Sequence, residues 1–200
     1  MRGQIFPRFL AGVGKDMNVI LIGYRSSGKS TVGLLLSKRL QVSFVDTDQL
    51  IEEAAGMSIK ELVALEGWER FREKETEAIA SLCDVNTCVV ATGGGAILSC
   101  ANRDLLKNRG PLIYLKTPLP DIIERLKRDT RDDQSRPQLT AENLVAETIA
   151  VLNERIPLYE STADFTVDTQ DKSVVRVTND IYQYLLEAGI VFEINKLKKC

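Results

Sequence analysis

Short apolar runs alternate along this chain with longer segments whose apolar residues recur every three or four positions. Val19–Ile22 is apolar throughout, the pattern of a strand buried on both faces. Val32, Leu35, Leu36 and Leu40 then line one side of a helix predicted over Gly28–Leu40. Further strands are predicted at Val42–Val45, Thr87–Ala91, Pro111–Leu115 and Asp164–Val167. Ser58 and Glu61 form an S-x-x-E capping box that opens a helix. Gly67 interrupts that helix, and Glu69–Leu82 resumes it with Phe71, Ala78, Ile79 and Leu82 on one side. Asp121–Lys127 is predicted helical, and Thr140 caps a helix running to about Leu158. Ser173 caps a last helix, with Val174, Val177, Ile181 and Leu185 in register and Gly189 as its stop. Alternating strands and helices predict an α/β domain: a mostly parallel sheet with helices on both faces.

The same pattern sets the expected organisation. Residues 1–16, broken by Gly3, Pro7, Gly12 and Gly14, are expected to be a flexible N-terminal extension. Residues 17–189 are expected to form one domain, and 190–200 a tail that is first apolar and then basic. The ten residues 128–137, RDTRDDQSRP, hold no large apolar side chain and predict an exposed loop. Mobile insertions are expected near 48–82 and 128–140.

Composition narrows the functions open to such a domain. Its 200 residues are enough to bury a substantial core. Lys and Arg number 26 against 28 Asp and Glu, so there is no basic excess of the kind nucleic-acid binders carry. No apolar run approaches the roughly 18 residues that span a bilayer. There is no histidine, which removes imidazole as base, nucleophile partner or metal ligand. Cys83, Cys88, Cys100 and Cys200 form no C-x-x-C pair and are expected to be reduced, mostly buried cytosolic thiols.

The chemistry is carried by Gly23-Tyr24-Arg25-Ser26-Ser27-Gly28-Lys29-Ser30, which fits G-x-x-x-x-G-K-[ST] between a buried strand and an amphipathic helix. In such a loop, backbone N–H groups curl around phosphate oxygens and the helix N-terminus adds positive potential. Lys29 can reach the β- and γ-phosphates, and the Ser30 hydroxyl can sit on Mg²⁺. A GTPase-type switch is disfavoured: no Asp stands three residues before any Gly, and Asn195-Lys196 is not followed by x-Asp. A motor ATPase normally needs more chain. A small-molecule kinase needs an acceptor site and a basic lid, and three arginines in 128–137 suit a lid. Asp46-Thr47-Asp48 follows the second strand, at the sheet edge where ligands bind in such folds. One of its carboxylates can hold Mg²⁺ and the other accept a hydroxyl proton. The competing reading is an N-cap with an acidic first helical turn.

Further motifs stand in order along the chain: F-R-x-x-E at Phe71–Glu75, G-G-G at Gly93–Gly95, R-P-x-L at Arg136–Leu139, R-x-P-L-Y at Arg155–Tyr159 and V-D-T at Val167–Thr169. Together with the phosphate loop and D-T-D, this combination resembles the shikimate kinase family. The resemblance runs from Met17 to about Thr169. It implies a nucleoside-monophosphate-kinase-like, three-layer P-loop domain with five parallel strands in the order 2-3-1-4-5. It implies ATP-dependent phosphorylation of shikimate to shikimate 3-phosphate, with Mg²⁺, in aromatic amino-acid biosynthesis. Nucleotide binding then falls to Gly23, Ser26, Ser27, Gly28, Lys29, Ser30 and Thr31, with Arg131 on the adenine (Arg128 being the alternative). Arg136 is implied as the lid arginine closing on the transferring phosphate. Ser30 and Asp46 are implied on the metal side, and Asp48 at the reacting hydroxyl. Lys29, Asp48 and Arg136 thus form the implied catalytic set.

Shikimate carries a carboxylate, and a guanidinium fork matches a carboxylate bidentately. The resemblance places Arg72 and Arg155 on that group, with Glu75 orienting Arg72, and the Gly93, Gly94 and Gly95 backbone against the substrate. Arg72 read alone is better explained by pairing with Glu75 or Glu69 on a helix surface. Ser26 departs from the Gly or Ala of many relatives, and Asp132 and Asp133 make the lid unusually acidic. A gluconate-type kinase and a nucleotide-binding regulatory protein are the alternatives. The enzyme is expected to be a cytoplasmic monomer without nucleic-acid or membrane partners.

Overall fold

The structure, a computed structural model, describes residues 17–82, 87–128 and 141–191. Its elements run β1 (Val19–Ile22), α1 (Lys29–Leu40), β2 (Ser43–Asp46), α2 (Thr47–Ala55), α3 (Ile59–Ser81), β3 (Cys88–Ala91), a 3₁₀ turn (Ala96–Leu98), α4 (Cys100–Lys107), β4 (Leu112–Lys116), α5 (Leu119–Arg128), α6 (Ala141–Thr162), β5 (Phe165–Asp168) and α7 (Val174–Glu187). All strand pairs are parallel, in the order β2-β3-β1-β4-β5. That is the predicted order 2-3-1-4-5.

The alternation of side chains along a strand explains the three layers. Val19 and Leu21 point to one face of the sheet, where α1 and α7 cover them with Val32, Leu36, Leu40, Val177, Ile181 and Leu185. Ile20 and Ile22 point to the other, against Ile79, Leu106 and Tyr159 of α3, α4 and α6. Both faces are covered, so the central strands are apolar at every position.

Local signals act where they were expected. The Ser58 and Glu61 side chains each cap the other's backbone N–H. Gly67, at φ 84°, ψ 171°, kinks α3 between its two halves. The strands β2, β4 and β5 each sit one residue later than predicted, so Asp46 ends β2 rather than following it. Ile190 and Val191 are 3% and 5% exposed in the α1–α7 core, so the core continues past the expected boundary at residue 189. Of the two cysteines within the described residues, Cys88 is buried and Cys100 exposed. The expectations for Arg131, Arg136, Thr140, Cys83, Cys200 and residues 1–16 lie outside the described residues.

Candidate active site

At the carboxyl end of β1 the chain turns through Gly23–Gly28 into α1. Gly28 caps the helix at φ 96°, a left-handed conformation that costs other residues strain. Ser26 sits at φ 57°, in the same region, where a non-glycine residue is uncommon. The loop is braced from outside. Arg125 of α5 donates to Ser26 O (3.2 Å) and Thr117 Oγ1 donates to Ser27 O (3.3 Å). Thr169 Oγ1, in turn, donates to Thr117 Oγ1 (3.0 Å). Neither Arg125 nor Thr117 belongs to a motif, and sequence reasoning missed both.

A cavity of about 510 Å³ opens over this loop. Residues 25–32, Asp46, Asp48, Thr92, Gly94, Arg125, Thr169, Lys172, Val174 and Val177 line it. Lys29, 8% exposed, donates to Gly23 O (2.9 Å) and Tyr24 O (2.7 Å). Burial pulls its ammonium down to about 8, against the opposing charges of Asp48 and Asp46.

Asp46 caps the helix, and its second oxygen still faces the phosphate loop. Its Oδ1 caps α2 by accepting from Asp48 N (3.1 Å), and its Oδ2 accepts from Ser30 Oγ (2.6 Å). Ser30 and Asp46 therefore present hard oxygen atoms side by side at the mouth of the phosphate loop, the donor type Mg²⁺ takes. Among the described residues no group of three or more acidic, Cys or His side chains could hold a metal unaided. Such a site fits an ion that keeps waters and takes substrate phosphates as its other ligands.

Asp48 lies in the first turn of α2, and its Oδ1 is buried with no hydrogen-bond partner. Burial, then the charge of Asp46, pushes its carboxyl up to about 6. Glu75, 1% exposed, gives Oε2 to Arg72 Nη1 at 2.6 Å, while its Oε1 is also without a partner. Burial pushes Glu75 up as well, against Arg72.

The Gly93–Gly95 turn after β3 joins these groups, and space rather than unusual φ explains its composition. A Cβ on Gly93 would lie 2.6 Å from Asp48 Oδ1 and 2.9 Å from Glu75 Oε1. One on Gly94 would lie 3.0 Å from the Arg25 backbone N of the phosphate loop, and one on Gly95 would collide with the Arg72 guanidinium. Gly94 O accepts from Arg155 Nη1 (3.1 Å) and Tyr159 Oη (2.5 Å). The turn thus has the Asp48 and Glu75 carboxylates at its Gly93 end, the Arg155 guanidinium on Gly94 and that of Arg72 at its Gly95 end. Gly95→Ala is expected to raise the Michaelis constant for a carboxylate substrate severalfold with little loss of stability, because a flexible guanidinium can yield. Gly94→Ala meets backbone and is expected to lower the melting temperature instead. Steady-state kinetics and melting curves on the two variants separate these effects.

A phosphate loop on a parallel five-stranded sheet, with a carboxylate and paired arginines beside it, defines a P-loop kinase of small molecules. The sequence model of the shikimate kinase family matches residues 25–186. Shikimate kinase of Legionella pneumophila (strain Corby) is 42% identical over 171 residues, 86% of this chain and 95% of that protein. The enzyme of Syntrophus aciditrophicus (strain SB) is 40% identical over 174 residues, 83% of this chain and 89% of its own length. The structure of shikimate kinase from Acinetobacter baumannii in complex with shikimate superposes with a TM-score of 0.78 at 35% identity, covering 88% of this chain and 96% of that one. This chain belongs to the shikimate kinase family.

Proposed function

We propose that the chain transfers the γ-phosphoryl group of ATP to a hydroxyl of shikimate, giving shikimate 3-phosphate for aromatic biosynthesis. The observation that carries the substrate assignment is the Gly93–Gly95 turn, with Asp48 over Gly93, Arg72 against Gly95 and Arg155 on Gly94. That spacing suits a compact molecule with a hydroxyl to be phosphorylated at one end and a carboxylate at the other.

In this reading the amides of Ser26–Thr31 hold the phosphates, and Gly23 lets the chain enter the loop beside β4. Lys29 neutralises charge on the transferring group. Ser30 and Asp46 hold Mg²⁺, which when bound neutralises phosphate charge. Asp48 accepts the hydroxyl proton, and its raised pKa near 6 makes it a better base than an exposed carboxylate. Arg72 and Arg155 bind the substrate carboxylate, and Glu75 holds Arg72 in place. Arg136 and Arg131, outside the described residues, are assigned to the transferring phosphate and the adenine. The enzyme works as a cytoplasmic monomer without nucleic-acid or membrane partners. The formal charge of −2 supports the absence of nucleic acid. No helix among the described residues is long and apolar enough to cross a membrane.

The direct test is coupled ADP release with shikimate and gluconate side by side. Turnover is expected with shikimate and only background with gluconate. The reverse order would reassign the arginines to a sugar acid, and no turnover with either would leave a nucleotide-binding protein without kinase activity.

A further inference from the structure

Tyr159 is the largest of the fully buried side chains among the described residues and belongs to no step described above. It lies one helical turn after Arg155 on α6, so the two side chains share a face. Both donate to the same atom, Gly94 O, at 2.5 Å from Tyr159 Oη and 3.1 Å from Arg155 Nη1. The Tyr159 ring stacks on Tyr114 of β4, with centroids 4.9 Å apart and planes 16° from parallel. Its position is therefore set by the sheet rather than by its own helix. That matters because Pro157 lies between Arg155 and Tyr159 within α6. A proline removes one helical hydrogen bond and crowds the preceding turn, so the helix alone holds this stretch less firmly. Burial pushes the Tyr159 hydroxyl well above the usual tyrosine range, which keeps it a donor at every working pH.

We propose that Tyr159 is a positioning residue for substrate carboxylate recognition. Its hydroxyl fixes Gly94 O, and Gly94 O in turn fixes one Nη of Arg155, leaving the rest of that guanidinium to face the ligand. The inference rests on the assignment of Arg155 to the shikimate carboxylate. A guanidinium fork binds a carboxylate well only when its plane is held, so the gain is one of pre-organisation.

The test is Tyr159→Phe in the full chain, alone and combined with Arg155→Ala. Phenylalanine keeps the stacked ring, and Arg155 still satisfies Gly94 O, so the fold is retained. The Michaelis constant for shikimate is expected to rise about fivefold to tenfold. That for ATP, and turnover, should stay within twofold. In the Arg155→Ala background, Tyr159→Phe should add nothing, because the two act through one interaction. Shikimic carboxamide, which lacks the charge, should inhibit wild type and Tyr159→Phe equally.

Unchanged shikimate kinetics in Tyr159→Phe, beside a large loss in Arg155→Ala, overturns the role of Tyr159 alone. An equal loss toward shikimate and ATP makes Tyr159 merely structural and also overturns it. The same severalfold loss appearing again in the Arg155→Ala background shows that Tyr159 acts independently of Arg155. Wild-type kinetics in Arg155→Ala overturns the carboxylate assignment and this inference with it.

Discussion

Asp48→Asn is expected to cut turnover with shikimate by ~10²–10⁴, the usual contribution of a positioned base, and at the same time to make the protein more stable. Asn keeps the shape of the side chain and one acceptor oxygen but loses basicity and charge. Calorimetric binding of ATP should stay within about threefold, since Lys29 and the loop amides are untouched. The stability gain follows from linkage. Burial and Asp46 raise the folded Asp48 from its ordinary 3.8 to about 6, so ionising it is harder in the folded chain than in the unfolded one. The protonated side chain thus favours folding fully below the unfolded value, and that advantage is lost as pH rises through about 6. At pH 7, without metal or nucleotide, the ionised Asp48 costs about 3 kcal/mol relative to a neutral group. Asp48→Asn should then melt about 6–12 °C higher than wild type. The difference should shrink toward pH 4, where wild-type Asp48 is itself neutral. Loss of ATP binding alone would move Asp48 to the metal side and exchange its role with that of Asp46. Near-normal turnover would remove it from the mechanism.

Arg72→Ala is the second large effect, and it should strike binding and folding through different atoms. Loss of a charge-assisted bond to the substrate carboxylate is worth roughly 1.5–3 kcal/mol, so the Michaelis constant for shikimate should rise about 10-fold to 100-fold. The same change strands Glu75, whose carboxylate is 1% exposed and takes its 2.6 Å partner from Arg72. Breaking a buried pair costs about 3–5 kcal/mol. Arg72 is itself 34% exposed, so about 2 kcal/mol is the expectation here. Adding Glu75→Gln removes the stranded charge and should return most of the stability without returning shikimate affinity. Trp68, the only tryptophan, lies 5.8 Å from the Arg72 guanidinium and gives a fluorescence readout of binding in the wild type and the Glu75 variant. Recovery of affinity as well as stability in the double variant would show that Arg72 serves Glu75, leaving the carboxylate to Arg155.

Features legible in the sequence depend on residues within a turn or two of one another. The strand and helix periods, the Ser58–Glu61 box, the Gly67 break and the Gly23–Ser30 loop are all of this kind. Their physics is local: side-chain direction along a strand or helix, and hydrogen bonds spanning three or four residues. The motif residues Asp46, Asp48, Arg72, Gly93–Gly95 and Arg155 could be picked out by resemblance, but not what each touches. For Asp46 the sequence posed a choice between helix cap and metal-side ligand; the structure shows the cap on one oxygen and leaves the other on Ser30 of the phosphate loop.

Tertiary structure alone decided the rest, because it depends on which strand ends lie side by side. The order β2-β3-β1-β4-β5 sets the Gly93–Gly95 turn between the phosphate loop and the Asp48 helix, so that each glycine is needed against a different neighbour. The same order brings Arg125 across 99 residues to Ser26 O, Thr117 across 90 to Ser27 O, and Tyr159 across 65 to Gly94 O. A single arginine or threonine leaves no periodic or motif signature, the R-x-P-L-Y motif marks Tyr159 without saying what it touches, and the partner in each case is a backbone carbonyl, which every residue possesses. The sequence by itself therefore determined the elements and the phosphate loop. The packing of loops at the carboxyl edge of the sheet determined which groups hold that loop, and Arg72 and Arg155, in place.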